Sequence, residues 1–305
     1  MYSLRFYFVN KTWGDGPFVI LKNEFDYFLL VFSTVIIAAG GNIINDYFDV
    51  KADKINKPHK VIIGKHIKPR LAIVWHWILN FIAFSIAVYL SLKFNTFWYV
   101  FIHLLSINLL WIYSMKLKRK FLIGNIVVSL LTALVPFLSG IFLKQTFDLE
   151  TPPIENKFYN TITYDPAYFQ MLVFFILASF AFFLNLVREI IKDVEDIEGD
   201  KLLRAKTIPM VLGERKARII SLILLIFILI SAMIGLYLFV IELKFQLRII
   251  DIILFGLISL FLFLAIFFLK SKERKQLKYA DRSLKVAMII GSLLPLIWSL
   301  IVVKG

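Results

Sequence analysis

The sequence predicts an all-α fold, a polytopic membrane helical bundle, and three observations lead to this prediction. Hydrophobic residues make up 60% of the 305 residues and charged residues only 18%, whereas soluble domains hold about 45–50% apolar and about 25% charged residues. The apolar residues fall in long stretches, and most basic residues lie between those stretches. So large an apolar excess cannot be packed into one water-soluble core, and we expect it to face lipid or neighbouring helices.

Eight apolar stretches are long enough, or nearly so, to cross about 30 Å of hydrocarbon as helices. Apolar residues occur on all sides of each stretch, which is typical of spans rather than of amphipathic surface helices. The predicted spans are Tyr27–Ile44, Leu71–Leu92, Thr96–Tyr113, Phe121–Leu143, Tyr168–Leu186, Ala217–Ile241, Ile249–Leu269 and Leu284–Val303. We expect them to form a single membrane domain over residues 1–305, with pseudo-repeated halves at about 27–144 and 168–303.

Every second connection between these spans is strongly basic, and together such connections hold 26 of the 35 Lys and Arg residues. They are Asp46–Arg70, Lys116–Lys120, Arg188–Arg218 and Lys270–Lys285. Because cytoplasmic loops are enriched in Lys and Arg, we expect these four connections in the cytoplasm and both termini outside. The net charge of +14 fits an anionic membrane surface and an anionic substrate rather than nucleic acid. With no cysteine, the chain has no disulfide, thiolate nucleophile or Cys-bound zinc.

Two acidic segments follow the cytoplasmic ends of apolar helices, and in each the aspartates recur at i, i+3 and i+7. Residues at this spacing share one face of a helix, so each segment predicts a strip of carboxylates. We call Asn45, Asp46, Asp49 and Asp53 the first acidic strip. We call Asp193, Asp196 and Asp200 the second acidic strip.

Carboxylates stacked in this way repel one another, and more so when they are desolvated, so the two strips predict a bound cation. Hard oxygen ligands without His or Cys suit Mg²⁺, which shares its coordination shell with substrate phosphates. All six aspartates are therefore candidate metal ligands. The alternative, ordinary polar helix ends in water, is disfavoured because the pattern occurs twice, as expected for two halves that face one site.

Basic residues beside the strips are candidates for binding a diphosphate, since cations there would stabilise its departure. These candidates are Lys57, Lys116, Lys118, Arg188, Lys192 and Lys206. Any one of them could instead serve topology alone, and Lys118 and Arg188 are the stronger candidates. Aromatic residues make up 16% of the chain, including 31 Phe. They could line an apolar channel for a polyprenyl tail and stabilise an allylic cation.

These motifs resemble the UbiA superfamily of intramembrane prenyltransferases. The resemblance lies in the Asn-Asp-x-x-Asp-x-x-x-Asp pattern of the first strip and in the run Arg188–Asp200, and it extends from about Tyr27 to the C-terminus. It implies a nine-helix bundle in which two Mg²⁺ ions bridge the strips to a prenyl diphosphate, whose allylic cation an acceptor captures. It also implies that Asn45, Tyr113 and either Lys116 or Lys118 contact the diphosphate. The catalytic residues that it implies are Asp49, Asp53, Asp196, Asp200 and Tyr113.

The second motif is similar to that of the geranylgeranylglycerol-phosphate geranylgeranyltransferase branch, in which a glycerol-phosphate ether lipid is the acceptor. Quinone-precursor and chlorophyll-type members have related motifs, so an aromatic acceptor stays open, and no obligatory protein partner is indicated. Members usually have a span before the first motif, where this chain has only Met1–Asn10, so it looks short by most of one helix. Lys57 stands where an Arg is common.

Two other classes of membrane protein fit the sequence less well. A cation transporter would place acids near the middle of its spans, whereas the motif acids all lie at one end. A CDP-alcohol phosphotransferase would need an Asp-Gly series within the spans, and Asp-Gly occurs only at Asp15-Gly16. A Mg²⁺-dependent multi-pass prenyltransferase with a cytoplasmic active site is the function that the sequence favours.

Overall fold

The computed structural model describes Met1 and residues 23–56, 58–150, 166–241, 249–271 and 273–302, and among them it contains helices and no strand. We number the α-helices in chain order. They are α1 (Glu24–Asn56), α2 (Pro69–Lys93), α3 (Trp98–Met115), α4 (Ile123–Glu150), α5 (Pro166–Glu195), α6 (Ile197–Leu202), α7 (Ile208–Leu212), α8 (Glu214–Ile241), α9 (Ile249–Lys270) and α10 (Lys275–Val302). Two single 3₁₀ turns, Pro58–Lys60 and Leu117–Arg119, follow α1 and α3.

The all-α membrane bundle predicted from the sequence is confirmed. Within the described part of the chain, seven helices are long and apolar enough to cross a membrane, namely α1 to α5, α8 and α9. The eighth predicted span, Leu284–Val303, falls in α10 except for its last residue, which lies outside the described residues. So do most residues before α1, where the family resemblance predicts a further span.

The helices that lead into the two acidic strips are longer than a membrane requires. The first strip lies on the last turns of α1, and the second begins on the last turn of α5 and continues into α6. Helix α1 has 33 residues and α5 has 30, so at 1.5 Å per residue they measure about 50 and 45 Å. The hydrocarbon core is only about 30 Å thick. Both helices therefore extend beyond it, and their C-terminal turns can hold carboxylates near water.

In three of the described connections the backbone conformation fits the residue that adopts it. Lys68 is extended, and Pro69, which lacks the N–H that a first helical residue leaves unpaired, begins α2. Asn95 follows α2 with a φ of 47°, a left-handed conformation that asparagine tolerates. Gly213 ends α7 with a φ of 87°, where a side chain would be strained. This turn leads directly into α8.

Two hydrophobic clusters hold the bundle together. One lies among α1 to α4 and is rich in aromatic rings, including Tyr27, Tyr99 and Phe142. The larger lies among α5 to α10, with Ile190, Leu225 and other buried aliphatic residues. Helix α1 packs against α2, α4 against α5, and α9 against α10. The expected division into two pseudo-repeated halves stays a prediction.

Candidate active site

Both acidic strips line one cavity of about 900 Å³. Its walls come mainly from α1, α3, α4 and the end of α5, with α6 and the connection after α1 at the polar end. All seven residues of the two strips are among the residues that line it. The two rows of carboxylates, more than a hundred residues apart in sequence, thus face a shared space, as the sequence predicts.

The first acidic strip lies on the last turns of α1, which remains helical through Asn56. Asp49 is the most enclosed member, at 5% exposure, whereas Asp46 is exposed toward the cavity. The position of Asp49 brings it next to the 3₁₀ turn that follows α3. Two members of the strip, Asn45 and Asp49, share a single basic partner there.

That partner is Lys118, whose Nζ donates to the carboxylate of Asp49 and to Asn45 Oδ1, the latter at 3.4 Å. Burial by itself lowers the pKa of Lys118, but the Asp49 carboxylate outweighs it, so this pKa lies above its ordinary value. Lys118 therefore stays charged beside the strip. The alternative candidate, Lys116, is exposed and is not among the residues that line the cavity.

The second acidic strip continues across a short break between α5 and α6. Asp196 is the residue between the two helices, but its N–H bonds the Lys192 carbonyl and its carbonyl accepts from the Asp200 N–H. The helical path is therefore kept, and the aspartates stay on one side. Asn125 of α4 donates to Asp193 at 2.8 Å, and this bond fixes the carboxylate's direction.

Asp200, at the end of the second strip, accepts a hydrogen bond from the Thr207 hydroxyl at 3.1 Å. Burial raises the pKa of Asp200 to about 6, the charges of Asp196 and Asp49 act in the same direction, and Thr207 and Lys118 oppose them. The negative charges of the two strips therefore act on one another. A bound cation would relieve this repulsion and favour the ionised carboxylates.

Two hydrogen bonds join the end of α1, just beyond the first strip, to the second strip and α6 at the polar end of the cavity. Asn56, the last residue of α1, accepts from the Gly199 N–H at 2.9 Å and donates to the Asp196 carbonyl at 3.3 Å. Gly199 is buried against it, and a Cβ there would come within 2.3 Å of Asn56 Nδ2. Only glycine lets α6 approach α1 so closely. Asn56 was missed by the sequence analysis, although it continues the first strip at i+3 from Asp53.

The donor set fits Mg²⁺. Among the described residues, no three His, Asp or Glu side chains are already gathered in metal-ligand geometry. Mg²⁺ does not require such a group, because it keeps several waters and binds through one or two carboxylates plus substrate phosphates. A cavity lined by six aspartates therefore offers the right ligands on both sides.

The basic residues predicted to bind diphosphate differ in whether they line the cavity. The guanidinium of Arg188 does not line the cavity, because it donates to Asp281 of α10 at 2.9 Å and to Asn185 at 3.1 Å. The side chain of Lys206 is exposed, although its N–H bonds the Arg119 carbonyl. Lys57 lies outside the described residues. This geometry offers no direct diphosphate contact from Arg188 or Lys206.

Other charged residues also line the cavity beside the strips. Arg119 follows Lys118 in the 3₁₀ turn, and Lys192 of α5 pairs with Glu189 at 2.6 Å. Lys192 directly precedes the second strip, and Glu189 lies one helical turn before Asp193, so helical spacing could also have identified Glu189. Arg119 had no such signal, because the 3₁₀ turn breaks the periodicity of α3.

Below the strips most lining residues are apolar, although His103, Ser106 and Thr132 also line the cavity there. Tyr113, buried near the end of α3, lines it next to the carboxylates, and Ile37, Leu131 and Val135 line its deeper part. A molecule with a charged head and a hydrocarbon tail would therefore find suitable surroundings at both ends. The aromatic ring at the boundary lies where a positive charge that develops near the head could be stabilised.

Comparison with known proteins identifies a family and a similar fold. The model of the UbiA prenyltransferase family matches residues 16–289, which is most of the chain. The fold is similar to the apo structure of a UbiA homolog from Aeropyrum pernix K1, with a TM-score of 0.62 and 16% sequence identity. That similarity covers 100% of this chain and 97% of the other.

Two archaeal relatives have the name digeranylgeranylglyceryl phosphate synthase. The Methanosphaera stadtmanae protein is 33% identical over 207 residues, which cover 67% of this chain but 65% of that protein, just under two thirds. The Methanothermobacter thermautotrophicus protein is 30% identical over 274 residues, covering 89% of this chain and 85% of that protein.

Proposed function

The chain belongs to the UbiA prenyltransferase family, and from this premise we propose that it transfers a geranylgeranyl group from its diphosphate to the hydroxyl of a glycerol-phosphate ether lipid. The observation that supports transfer most strongly is the convergence of both acidic strips on one cavity with an apolar extension. The names of the archaeal relatives support this choice of acceptor and donor.

The donor's diphosphate would lie between the strips. Asp49 and Asp53 on one side and Asp196 and Asp200 on the other would hold Mg²⁺, with Asp46 and Asp193 beside them. When bound, Mg²⁺ would neutralise the diphosphate and favour its departure. We propose two ions, since there are two strips.

Lys118 would add a positive charge to the non-bridging oxygens, because a chelated diphosphate competes with Asp49 for its ammonium. Asn45 would orient Lys118 through the contact that it already makes. As the carbon–oxygen bond breaks, the electron pair leaves with the diphosphate, and the face of Tyr113 would stabilise the allylic cation.

The acceptor's hydroxyl oxygen would then form the new bond to the first carbon of the prenyl group and lose its proton to the departing diphosphate or to a strip carboxylate. Few waters should compete, because the deeper cavity is apolar. The distribution of basic connections favours a cytoplasmic position for this site, and the chain itself is an integral multi-pass membrane protein.

The experiment uses the purified chain in lipid nanodiscs with Mg²⁺, geranylgeranyl diphosphate and either geranylgeranylglyceryl phosphate or an aromatic acid acceptor. We expect diphosphate release and a prenylated glycerol lipid by mass spectrometry. A product formed only on the aromatic acceptor would overturn the acceptor assignment. If neither acceptor yields any prenylated product, in the presence or absence of EDTA, the transferase proposal fails.

A further inference from the structure

The apolar part of the cavity ends inside the bundle at a defined boundary. Thr34 of α1, Ile102 and His103 of α3, and Leu138 of α4 are the lining residues that lie farthest along their helices from the acidic strips. We call these four residues the channel floor. Ala38, one turn closer to the strips, lines the cavity with its small side chain exposed toward it.

Dense packing closes the space beyond the channel floor. Ile102 and Leu138 also belong to the aromatic cluster among α1 to α4, where they are 5% and 2% exposed. In that cluster the rings of Tyr27 and Phe142 meet edge to face with centroids 5.1 Å apart. The Tyr27 hydroxyl is 2.5 Å from Ser139 Oγ, next to Leu138 in the chain. A hydrocarbon tail that reached this cluster would have to displace closely packed side chains.

Hydrogen bonds fix the floor's one ionisable member. His103 is 1% exposed, its Nδ1 donates to the Tyr99 carbonyl at 2.8 Å, and its Nε2 pairs with Ser33 Oγ at 2.8 Å. Rotating the ring away would leave buried polar groups without partners, which is costly. His103 is therefore a rigid part of the floor rather than a side chain that yields to a ligand.

The depth of the channel can be measured along α1. Asp49, beside the expected diphosphate, and Thr34, at the floor, are fifteen residues apart, which is roughly 22 Å of helix. An isoprene unit contributes four carbon–carbon bonds of about 1.5 Å, or roughly 5 Å when extended. Four units fit this depth and five do not.

We propose that the channel floor determines the length of the prenyl tail and limits it to four isoprene units. This inference rests on the proposed function and deepens it. Thr34, His103 and Leu138 then act as specificity-determining residues, and the tail's terminal methyl groups lie against them. A shorter tail would bind more weakly because it buries less apolar surface and leaves the floor uncovered.

Ala38→Phe tests the proposal by raising the floor. The new ring lies one helical turn above Thr34, about 6 Å closer to the strips, or about one isoprene unit. We expect the ratio of kcat/KM for the C20 donor to that for the C15 donor to fall at least tenfold. Ala39→Phe is the matched control, because Ala39 is exposed and does not line the cavity, and its ratio should match the wild type.

Leu138→Ala tests the opposite direction, because it removes part of the floor. We expect the ratio of kcat/KM for the C25 donor to that for the C20 donor to be at least tenfold higher in this variant than in the wild type. An active Ala38→Phe protein with an unchanged C20-to-C15 ratio would overturn the proposal. So would an equal change in Ala39→Phe, or a Leu138→Ala protein that uses C20 normally and still rejects C25.

The C10 donor separates this inference from the proposed function. Its tail ends well above Ala38, so the Ala39→Phe control should release diphosphate from it at the wild-type rate, and wild-type release from it measures diphosphate chemistry independently of the floor. If the wild type releases none from any donor, the proposed function fails. If it does release diphosphate and the length ratios do not move, only the floor assignment fails.

Discussion

Replacing Gly199 by alanine tests how closely the two acidic strips must approach each other. A Cβ at this position would lie 2.3 Å from Asn56 Nδ2, 2.9 Å from Asn56 Cγ and 3.1 Å from the Ala52 side chain. Ordinary contact begins near 3.4 Å, so α6 must move away from α1 by about 1 Å or the Asn56 amide must rotate away. Either response breaks the two hydrogen bonds that tie Asn56 to the second strip.

The expected loss of activity follows from that displacement. A misplacement of about 1 Å at a reacting site costs roughly a hundredfold in rate, and we expect a decrease of this order in kcat for prenyl transfer. Overpacking of this size also costs about 1–3 kcal/mol of stability. The assay is Mg²⁺-dependent diphosphate release in nanodiscs, with a thermal melt of the same sample.

Gly235→Ala is the matched control. Gly235 lies in α8, and a Cβ there would meet nothing within 4 Å. Because alanine favours a helix over glycine by about 0.5–1 kcal/mol, this variant should keep full activity and lose no stability. If Gly199→Ala kept wild-type kcat and Mg²⁺ dependence, the close approach of α6 to α1 would have no role in catalysis.

Three further substitutions address single contacts. Asp196→Ala should abolish turnover while the yield of folded protein stays similar, and measurable transfer by it would remove the second strip from the mechanism. Lys118→Met should lower kcat at least a hundredfold, whereas Lys116→Met, at an exposed position outside the cavity, should keep the wild-type kcat. Equal losses in the two variants would contradict the assignment of Lys118 as the diphosphate contact. Asn125→Ala frees the carboxylate of Asp193 and should raise the Mg²⁺ concentration for half-maximal activity about ten- to a hundredfold, and an unchanged Mg²⁺ titration would contradict that role.

Much of the fold could be predicted from the sequence, because a membrane span is recognised as a long run of apolar residues. A run such as Ile249–Leu269 has few polar residues, and the observed α9, Ile249–Lys270, differs from it by one residue. The longer helices could not be bounded so well. The first span was predicted to end at Ile44 and the aspartate spacing predicted further helix through Asp53, whereas α1 continues to Asn56. Hydropathy alone does not register polar turns that extend beyond the lipid.

The acidic strips could be predicted as helical faces because carboxylates at i, i+3 and i+7 share a side of any helix. That both faces border one cavity required the structure, since spacing within a helix says nothing about its neighbours. Arg188 illustrates the limit. Its place beside the second strip suggested a substrate contact. The guanidinium instead donates a hydrogen bond to Asp281, which lies 93 residues later in the chain on α10.

The choice between Lys116 and Lys118 was open for a related reason. After Met115 the chain leaves α3 and makes a 3₁₀ turn, so the angle of each side chain no longer follows from the helical period. The structure places Lys118 against Asp49. The role of Asn56 could in principle have been predicted, because Asn56 extends the first strip by one more helical turn.

The most direct test of the account is whether both strips bind the same metal–diphosphate unit. Binding of a non-reactive geranylgeranyl thiodiphosphate can be measured by calorimetry, with and without Mg²⁺, in the wild type, Asp49→Asn, Asp196→Asn and the double variant. If the strips act on one shared ligand, each substitution alone lowers Mg²⁺-dependent affinity at least tenfold, and the double variant is little worse than either. Losses that simply add, or a strip whose substitution leaves Mg²⁺-dependent binding intact, would contradict a shared site.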